Sequence, residues 1–510
     1  MLNPADIQRD FKEFLEKKYG AQVSVTDIPQ PAADGGGEGI ETGRKAHRID
    51  FDLKPEELEA YLDDYVVQQR EAKEVLATKI CTHFHRMKLD RESGDDEEGL
   101  VGGIKNNIIL VGPTGVGKTY LIKLIARRIG VPFVKGDATK FSETGYVGGD
   151  VEDLVRDLVR EAGGDIELAQ YGIIYIDEID KIAASGTVVG PDVSRTGVQR
   201  NLLKLMEETE VDLKAPHDLA SQMESLMQLQ RTGKVERKRI NTRNILFIVS
   251  GAFSGVEEII RRRLNRGAMG FASGNDGRER RRERTAILRR MRTEDLLEYG
   301  FESEFIGRLP IVTVLNPLDA DDLYAILKNP KSSVITSKKR DFRAYGIELG
   351  FEDEALKKMA RLAHEEKTGA RGLVSVCERV LLKFEKKLPS TGIDRLVVTE
   401  AVVEDPETEL RKLLVLNALR HYRESFFNTF RVTLDFDDEA AAVLAQRSEA
   451  LGRTPDALCQ ELFAEYGHGL KLLGKEQFTV RAAMLQDPRT YLNELIKAHY
   501  SKEQGWGVTH

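Results

Sequence analysis

The chain has 510 residues, of which 41% are hydrophobic and 31% are charged, and its formal net charge is −8. This apolar content excludes a wholly disordered chain, and the length predicts about three domains. The mildly acidic balance gives the chain as a whole no bias toward nucleic acid. The three cysteines form no Cys-x-x-Cys pair, which excludes a zinc ribbon or a disulfide framework and indicates a reducing compartment. No apolar run approaches the ~18 residues of a membrane span, so we expect a soluble, cytoplasmic protein.

The first fifty residues are predicted to form a separate element. Residues 1–28 carry an amphipathic helical pattern, with apolar side chains recurring at helical spacing from Leu2 to Leu15. Residues 29–50 are rich in Pro and Gly, a composition typical of a flexible linker. We therefore expect a small N-terminal helix that is joined to the rest of the chain by a flexible connection.

Short apolar strands alternate with helical patterns between residues 51 and 320. The strands are predicted at NIILVG, VPFVKGDA, GIIYIDEID and NILFIVSG, and helical patterns lie between them. Such alternation is typical of a parallel sheet covered by helices. Residues 51–320 are therefore predicted to form a large α/β domain.

The pattern becomes mainly helical after residue 320. Residues 321–405 are predicted to form a small helical domain, and residues 406–510 a mainly helical C-terminal extension of unknown role. The extension begins with a long helix over 406–429 and contains two short strand patterns, RVTLDF and QFTV. No internal repeat is apparent in the chain, and the extension has no metal-ligand spacing or nucleophile motif.

A phosphate-binding loop is the most specific motif in the chain. GPTGVGKT, residues 112–119, matches G-x-x-x-x-G-K-[ST], with a predicted strand before it and a helix after it. Its glycines let backbone N–H groups face phosphates, and the helix N-terminus favours negative charge. Lys118 is predicted to reach the β- and γ-phosphates, and the Thr119 hydroxyl to coordinate Mg²⁺. The predicted nucleotide-binding residues of this segment are Gly112, Pro113, Thr114, Gly115, Val116, Gly117, Lys118, Thr119 and Tyr120.

An acidic strand end supplies the second half of a nucleotide site. IIYIDEID, residues 173–180, is an apolar strand that ends in carboxylates. Asp177 is predicted to hold Mg²⁺, and Glu178 to polarise the attacking water. Lys118 and Glu178 lie 178 − 118 = 60 residues apart. Together the two motifs predict ATP hydrolysis, without indicating what the hydrolysis drives.

A family resemblance is carried by motifs that occur in order along the chain. They are GPTGVGKT, KFSETGYVGGDVEDLVRDLV, IIYIDEIDKI, GPDVSRTGVQRNLLKLME, FIVSGAF, FESEFIGRLP and TGARGL. Over residues 51–400 the chain resembles the AAA+ protein unfoldases ClpX and HslU. The short spacing between the two nucleotide motifs resembles ClpX more, because HslU carries a large insertion there. The resemblance implies an α/β fold of the AAA+ P-loop NTPase type, with a parallel sheet and a helical small domain.

The resemblance also implies loops that contact a polypeptide. Tyr146 and Val147, in TGYVG, match a pore loop that grips the substrate chain. An aromatic and an aliphatic residue between flexible glycines form a mobile apolar surface that needs no particular substrate sequence. Without the neighbouring nucleotide motifs, the same letters would be read as a surface turn. Ser194 and Arg195 lie where the family has a second pore loop.

Further matches surround the nucleotide. Arg308, in FIGRLP, matches the arginine finger that stabilises charge on a neighbouring subunit's nucleotide. Arg371, in GAR, matches a sensor that contacts the γ-phosphate within one subunit, and Ser250 matches the other sensor. Val66 and Val67 match the segment beside the adenine, although a glutamine follows them where the family has glycine.

The sequence departs from the ClpX pattern in two regions that bind partners. ClpX begins with a four-cysteine zinc domain that receives adaptors, and the first fifty residues here contain no cysteine, so we expect recruitment to work differently. ClpX also docks onto the ClpP peptidase through an aliphatic-Gly-Phe loop. Met269, Gly270 and Phe271 stand in the corresponding place, and the flexible methionine could fill an apolar pocket. A ClpP-type partner is one reading of these residues, and an ordinary turn is the other.

Two basic segments leave other partners open. Residues 278–292 form a basic run that is either a solvated, partly helical insertion or a binding site for nucleic acid or another anionic partner. The absence of interleaved aromatic residues favours the insertion. Residues 212–243 resemble the pore entrance of ClpX, where basic residues help to select substrates. The candidates there are Lys234, Arg237, Lys238 and Arg239.

The expected function is an ATP-dependent protein unfoldase that forms a homo-hexameric ring and threads unfolded or tagged proteins through its pore. ATP and Mg²⁺ are the expected ligands, and the expected catalytic residues are Glu178, Lys118, Arg308 and Arg371. One alternative is a stand-alone remodelling chaperone without a peptidase. Another, with less support, is a nucleic-acid-associated AAA+ motor. A scaffold that binds ATP without turnover is disfavoured because both Glu178 and Arg308 are present, and no membrane partner is expected.

Overall fold

The structure is a computed structural model that describes residues 51–93, 105–142, 149–184, 193–213, 238–265, 277–331 and 333–504. The helix and linker predicted for residues 1–50 lie outside these ranges, as does the peptidase-docking candidate Met269–Phe271. No described helix is long and apolar enough to cross a membrane.

A parallel sheet forms the centre of the described α/β region. In chain order its strands and two neighbouring short strands are β1 (Ile108–Val111), β2 (Phe133–Asp137), β3 (Ile173–Asp177), β4 (Glu210–Asp212), β5 (Arg239–Asn241), β6 (Leu246–Gly251) and β7 (Ile311–Val314). The sheet has the order β2-β3-β6-β1-β7, whereas β4 and β5 form an antiparallel pair of their own. The four strands predicted from the sequence are confirmed, and β7 is an edge strand that the sequence did not reveal.

Helices cover both faces of this sheet. In chain order they are α1 (Pro55–Tyr65), α2 (Arg70–Ser93), α3 (Lys118–Ile129), α4 (Asp153–Glu161), α5 (Ile166–Gln170), α6 (Val193–Met206), α7 (Val256–Asn265), α8 (Gly277–Leu288), α9 (Thr293–Tyr299) and α10 (Ser303–Gly307). Alternate strand residues face opposite sides, so that Ile108 packs in the core beneath α1–α3 and Ile109 in the core beneath α4–α7. The three inner strands, β1, β3 and β6, are therefore buried on both faces.

A helical region follows β7. Its elements are α11 (Ala320–Lys328), α12 (Ser333–Arg343), β8 (Glu348–Phe351), α13 (Asp353–Glu365), α14 (Ala370–Lys387), β9 (Arg395–Val398) and α15 (Glu400–Glu404). β8 and β9 form a short parallel pair. The apolar side chains of this region belong to the same core as α1–α3, so the region packs against one face of the α/β region.

A C-terminal unit, residues 415–504, has a core of its own. The elements from residue 406 onward are α16 (Pro406–Phe430), β10 (Thr433–Phe436), α17 (Asp438–Leu451), α18 (Pro455–Leu462), α19 (Tyr466–Leu472), β11 (Gln477–Val480) and α20 (Pro488–Gln504). The predicted long helix and both predicted strands are confirmed. α16 begins in the core of the helical region at Leu410 and continues into the core of the C-terminal unit at Leu419.

Candidate nucleotide site

The phosphate loop connects β1 to α3. Gly112 N donates to Gly251 O at 3.1 Å, which ties the start of the loop to the end of β6. Gly115 and Gly117 have φ values of 77° and 96°, in the region that favours glycine. Val116 is buried in the core beneath the loop. The strand–loop–helix context expected for this motif is therefore present.

Lys118 is the first residue of α3. Its Nζ donates to the carbonyl oxygens of Gly112 at 2.6 Å and Pro113 at 2.9 Å. Burial lowers the pKa of Lys118, the negative charge of Asp177 opposes this shift, and the positive charge of Arg371 adds to it. The ammonium group is thus held at the phosphate loop by two carbonyl contacts that a phosphate could replace.

Hydroxyl groups connect α3 to the carboxyl ends of β3 and β6. Ser250 Oγ donates to Asp177 Oδ1 at 2.7 Å, and its 2.6 Å hydrogen bond with Tyr175 therefore has the phenol as donor. Thr119 Oγ1 lies 3.2 Å from the Tyr175 hydroxyl and 3.4 Å from Asp177 Oδ2. Burial raises the pKa of Tyr175 to about 12, which keeps the phenol protonated. The structure thus brings three predicted site residues together: Thr119, Asp177 and Ser250.

Asp177 is held in its carboxylate form. Lys135 Nζ lies 2.9 Å from its Oδ2 atom, and Glu178 N donates to Oδ1 at 3.2 Å. Burial acts to raise the pKa of Asp177, but hydrogen bonds from Lys135 and Ser250 outweigh it, and the net pKa is lowered. Asp177 therefore presents a negative charge at the place where the second nucleotide motif requires one.

The donor set fits Mg²⁺ when phosphates share the ion. Thr119 and Asp177 offer oxygen atoms of the kind Mg²⁺ prefers, and this ion is commonly bound by one or two carboxylates together with substrate phosphates. Within the described ranges, no cluster of three or more His, Cys, Asp or Glu side chains could hold a metal unaided. A magnesium ion here would therefore depend on nucleotide.

Glu178 occupies the turn directly after β3. Its φ is 58°, which is unusual for a residue other than glycine, and its side chain is exposed. It lines a cavity of about 610 Å³ together with Thr139, Asp180 and Tyr299. Asp180 is buried, and no hydrogen-bond partner for its Oδ2 atom exists within the described part of the chain. Glu178 therefore borders a space large enough for a water molecule.

The first predicted pore loop begins and ends beside this cavity. Phe141 lines the cavity and forms a parallel bridge with Gly149. Gly149 N donates to Lys140 O at 2.9 Å, so the two ends of the loop are joined. Tyr146 and Val147 lie between these ends, outside the described residues.

Arg156 fixes the helix that follows this loop. Its buried guanidinium donates to Asp153 at 2.7 Å and Glu152 at 2.5 Å, and its Nε donates to Asp212 O at 3.1 Å. Burial acts to lower the pKa of Arg156, and these acidic partners outweigh it, so the net pKa is raised. The base of the first predicted pore loop is therefore attached to the β4–β5 pair.

The second predicted pore loop also begins and ends at the cavity that Glu178 lines. Ala183 lines this cavity, and so does Arg195, although the structure places Ser194 and Arg195 in the first turn of α6 rather than in a loop. Arg195 donates to Ala183 O at 3.4 Å, and Ala184 N donates to Gly300 O at 2.9 Å. The side chain of Ser194 lies outside the described residues. One cavity thus connects Glu178 with the bases of both loops.

Arg308 lies at the amino ends of the strands, whereas the phosphate loop lies at the carboxyl end of β1. It precedes β7, and its carbonyl oxygen accepts a hydrogen bond from Asn107, directly before β1, at 3.0 Å. Its exposed guanidinium forms an ion pair with Glu207 at 2.7 Å. Because Asp177 and Ser250 stand at the carboxyl ends of their strands, Arg308 does not approach the nucleotide site of its own chain.

The turn before α14 joins the helical region to the phosphate loop. Ala370 N donates to Gly115 O at 2.8 Å. A Cβ atom on Gly115 would lie 2.0 Å from Thr368 O, and one on Gly369, where φ is 63°, would lie 2.7 Å from Gly115 O. Both positions therefore require glycine. Arg371 follows this turn in the first turn of α14.

The residues expected beside the adenine line a different cavity. A cavity of about 230 Å³ lies between the phosphate loop and the helical region, with apolar walls from Val116, Leu318 and Leu323. Val66 and Val67 instead line a cavity of about 740 Å³ beside α1. The structure therefore does not bring Val66 and Val67 into the phosphate-loop cavity.

Gln68 and Gln69 explain how this segment is nevertheless connected to the site. Their φ values are 61° and 59°, so both have a left-handed conformation that favours glycine. The Gln69 side chain bonds the backbone N and O of Asn316 at 2.7 and 2.8 Å, next to residues that line the phosphate-loop cavity. Burial raises the pKa of Tyr120, and the nearby Tyr65 adds to this shift.

Sequence reasoning missed Lys135, Gln69 and Arg156. A lysine inside the second predicted strand was the one local signal for Lys135, which is 43% exposed on an edge strand. Gln69 and Arg156 act through backbone groups that are distant in sequence, and no local pattern marks such contacts.

Several described residues of the basic segments form ion pairs with acids. In α8 and just after it, Arg284 forms an ion pair with Glu257, and Arg289 with Glu71 at 2.8 Å. Arg239, in β5, pairs with two acidic residues of β4. These contacts favour a folded insertion over a nucleic-acid surface. Lys234 and Arg237 lie outside the described residues.

Comparisons with known proteins agree with this geometry. Residues 104–312 match the family model for the AAA domain (Cdc48 subfamily), and residues 318–388 match that for the C-terminal, D2-small domain, of ClpB protein. The ATP-dependent Clp protease ATP-binding subunit ClpX 3 of Methylococcus capsulatus is 38% identical over 362 residues, which cover 69% of this chain and 80% of that protein. The ATP-dependent Clp protease ATP-binding subunit ClpX of Borrelia duttonii is 39% identical over 372 residues, 70% of this chain and 79% of that protein.

These similarities confirm the predicted family, the AAA+ α/β fold and the expectation of an ATPase. They also span the phosphate loop, the acidic strand and the turn that joins the helical region to the phosphate loop. The chain therefore belongs to the ClpX family of AAA+ protein-unfolding ATPases.

Proposed function

We propose that the chain works as a homo-hexameric ring that hydrolyses ATP and threads unfolded or tagged proteins through a central pore. The observation that carries this proposal is the single cavity that Glu178 shares with the bases of both predicted pore loops. The carboxylate that would act on water therefore lies close to the segments that would move the substrate. The proposed domains are residues 51–320, 321–405 and 406–510.

Nucleotide phosphates would be bound by the loop before α3. The N–H groups of the phosphate loop and the ammonium of Lys118 would contact them, with Lys118 exchanging its carbonyl partners for phosphate oxygens. Thr119 and Asp177 would hold Mg²⁺, which supplies charge neutralisation between the β- and γ-phosphates. The adenine would occupy the apolar cavity beside Val116 and Leu318.

Glu178 would position and polarise the attacking water. Its location directly after Asp177 keeps it next to the phosphates, and its exposed carboxylate faces the cavity where water can enter. Ser250, which donates to Asp177, would hold that carboxylate in place as the γ-phosphate leaves. These roles assign hydrolysis to the residues at the ends of β3 and β6.

Arg308 would act on the nucleotide of a neighbouring subunit. Its guanidinium is exposed at the amino ends of the strands, away from its own phosphate loop, so its charge is available to another chain. Release from Glu207 would accompany this contact. Arg371 would instead sense the γ-phosphate in its own chain, because it follows the turn that contacts Gly115.

The peptidase partner is also a proposal. Met269, Gly270 and Phe271 would dock a ClpP-type peptidase, and the stand-alone chaperone is the alternative. If wild type and Phe271→Ala bind such a peptidase equally, or neither binds it, this docking proposal is wrong. A cytoplasmic location is likewise proposed from the sequence.

A mixing experiment tests the catalytic assignment. Glu178→Gln should bind ATP without hydrolysing it, with turnover lowered by about 10²–10⁴-fold, and Arg308→Ala should also be inactive. A mixture of the two inactive variants should recover part of the activity, because some interfaces then combine an intact Glu178 with an intact Arg308. Glu207→Gln is the control that breaks the ion pair and leaves the arginine. No recovery in mixed rings would contradict action between subunits.

A second experiment tests the threading step. Tyr146→Ala should keep ATP hydrolysis and lose the ATP-dependent unfolding of a globular protein that carries an unstructured tail. Tyr345→Ala, at an exposed tyrosine of the helical region, is the matched control and should unfold the same protein normally. Equal unfolding by the two variants would refute the role of Tyr146.

A further inference from the structure

Residues 433–496 repeat the fold of residues 348–414, although no repeat was apparent in the sequence. The first copy runs from β8 through α13, α14, β9 and α15 into α16. The second runs from β10 through α17, α18, α19, β11 and a short helical turn into α20. β8 pairs with β9 in parallel over four residues, and β10 pairs with β11 in the same way. The expectation of a chain without an internal repeat was therefore wrong.

A fixed offset in numbering relates the buried positions of the two copies. It is 459 − 377 = 82 for the buried cysteines and 480 − 398 = 82 for the last strand residues. Before the turn that precedes α14 and α18 it is 440 − 355 = 85, so the second copy is three residues shorter there. The equivalent buried pairs are Leu349 and Leu434, Ala355 and Ala440, Met359 and Leu444, Cys377 and Cys459, Phe384 and Tyr466, Leu388 and Leu470, Val398 and Val480, Val403 and Leu485, and Leu410 and Leu492.

Helix capping is repeated as well. α16 and α20 both begin with the pattern Asp-Pro-x-Thr. Asp405 accepts from Thr408 N at 3.1 Å, and Asp487 accepts from Thr490 N at 3.1 Å. The proline occupies the first helical position in each case, where its missing N–H costs nothing. The two copies therefore share their core, their strand pairing and the start of their final helix.

The copies differ at the turn between their helices. In the first copy this turn contacts the phosphate loop through Ala370. In the second copy Leu451 is 58% exposed, and a Cβ atom on Gly452 would meet open space. Arg453 forms an ion pair with Glu461 of its own unit. The turn of the second copy therefore does not contact the phosphate loop of its own chain.

One unbroken helix joins the copies. α16 has 25 residues and spans ~37 Å at 1.5 Å per residue. Leu410 lies in the core of the helical region, and Leu419 and Phe426 lie in the core of the C-terminal unit. Asn417 Nδ2 donates to Thr391 O of the helical region at 2.8 Å, which fixes the middle of the helix. Rotating one copy against the other would break this helix or expose part of a core.

We propose that the C-terminal unit is a rigid arm that moves as one body with the helical region, so that a change at the phosphate loop displaces residues 415–504. The path runs from Gly115 through Ala370 into α14, which packs with α16 in one core, and along α16 into the second copy. This inference rests on the proposed ATP-driven motion of the helical region.

Three label pairs test the proposal in the full-length chain. The three native cysteines are buried, so cysteines introduced at the exposed positions Glu161 in α4, Lys386 in α14 and Gln446 in α17 can be labelled selectively. Fluorescence energy transfer is measured with and without ATP in Glu178→Gln chains, diluted into unlabelled protein so that each signal comes from one chain. We expect a nucleotide-dependent change for the pairs 161–386 and 161–446 and none for the pair 386–446.

Two insertions separate rigid transmission from other causes. Five Gly/Ser residues between Asn417 and Ala418 should abolish the change of the pair 161–446 while leaving that of the pair 161–386. The equivalent insertion in the second copy, between His499 and Tyr500 of α20, lies beyond the last core contact at Ile496 and should leave both changes intact.

Two outcomes would contradict the proposal of a rigid arm specifically. They are a nucleotide-dependent change in the pair 386–446, or a change in the pair 161–446 that survives the insertion after Asn417. The absence of any change in the pair 161–386 would instead refute the proposed motion of the helical region, and the arm with it.

Discussion

The two copies of the strand–helix unit place the same core in two different situations. In the first copy, the backbone N of Ala370 donates a hydrogen bond to the backbone O of Gly115, so the unit borders the candidate nucleotide site. In the second copy, the equivalent turn is three residues shorter and exposed, and the unit touches the rest of the chain chiefly through α16. The core residues are thus similar in the two copies, whereas one turn contacts the phosphate loop in the first copy alone. Matched substitutions in the two copies can break or sharpen this distinction.

The largest effect is expected from the buried aromatic pair. Phe384→Ala and Tyr466→Ala should each destabilise their own copy by about 3–5 kcal/mol, because each removes a fully buried ring. Hydrogen exchange of the amides in each copy measures this loss. Phe384→Ala should also lower ATP hydrolysis, since its copy supports the turn at the phosphate loop. Tyr466→Ala should leave hydrolysis unchanged, and an equal loss of activity in both variants would remove the distinction between the copies.

Two glycines, one near the turn of each copy, test the turn itself. A Cβ atom on Gly369 would lie 2.7 Å from Gly115 O, so Gly369→Ala should displace the phosphate loop. A displacement of about 1 Å at a catalytic site can cost on the order of 100-fold in rate, and we expect hydrolysis to fall by at least about tenfold. Gly452→Ala, at φ 60° in open space, should cost only about 1–2 kcal/mol of local strain. Phosphate release measures both variants, and normal turnover in Gly369→Ala would contradict the contact.

The smallest effect is expected from the capping aspartates. The hydrogen bond from the following threonine is the largest cause that lowers the pKa of Asp405 and of Asp487. A lowered pKa means that the stabilisation is complete above the ordinary value of about 3.9 and is lost as the pH falls through the folded-state value. Asp405→Ala and Asp487→Ala should therefore melt below wild type at neutral pH and approach it in acid. A difference from wild type that is the same at pH 7 and pH 3 would show that the caps do not titrate in this way.

Sequence patterns predicted the parts of the fold that depend on local apolar runs. β1, β3 and β6 are almost entirely buried, so their sequences are continuous apolar stretches beside recognisable motifs. β7 was missed because it is short, and its residues Ile311 and Val312 are only partly buried or exposed at the edge of the sheet. Thr119, Asp177 and Ser250 were identified through motifs, whereas their connection through Tyr175 required the structure.

The repeat escaped detection for a physical reason. Many identities between the copies fall at buried or capping positions such as Cys377 and Asp405, while most exposed positions differ. The three-residue difference at the turn also changes the offset from 85 to 82, which disrupts a simple comparison of the chain with itself. In the second copy α14 is replaced by two shorter helices, α18 and α19. Only the repeated strand pairing and core make the relationship evident.

The rate of ATP hydrolysis with different added polymers tests the central claim most directly. An unfolded protein with no stable structure should stimulate phosphate release by the wild-type chain, and Tyr146→Ala should weaken that stimulation. DNA or RNA should give none, because two arginines of the basic run are already paired with acids, Arg284 with Glu257 and Arg289 with Glu71. Stimulation by nucleic acid that falls steeply between low and physiological salt, with no response to unfolded protein, would contradict a protein-unfolding ATPase.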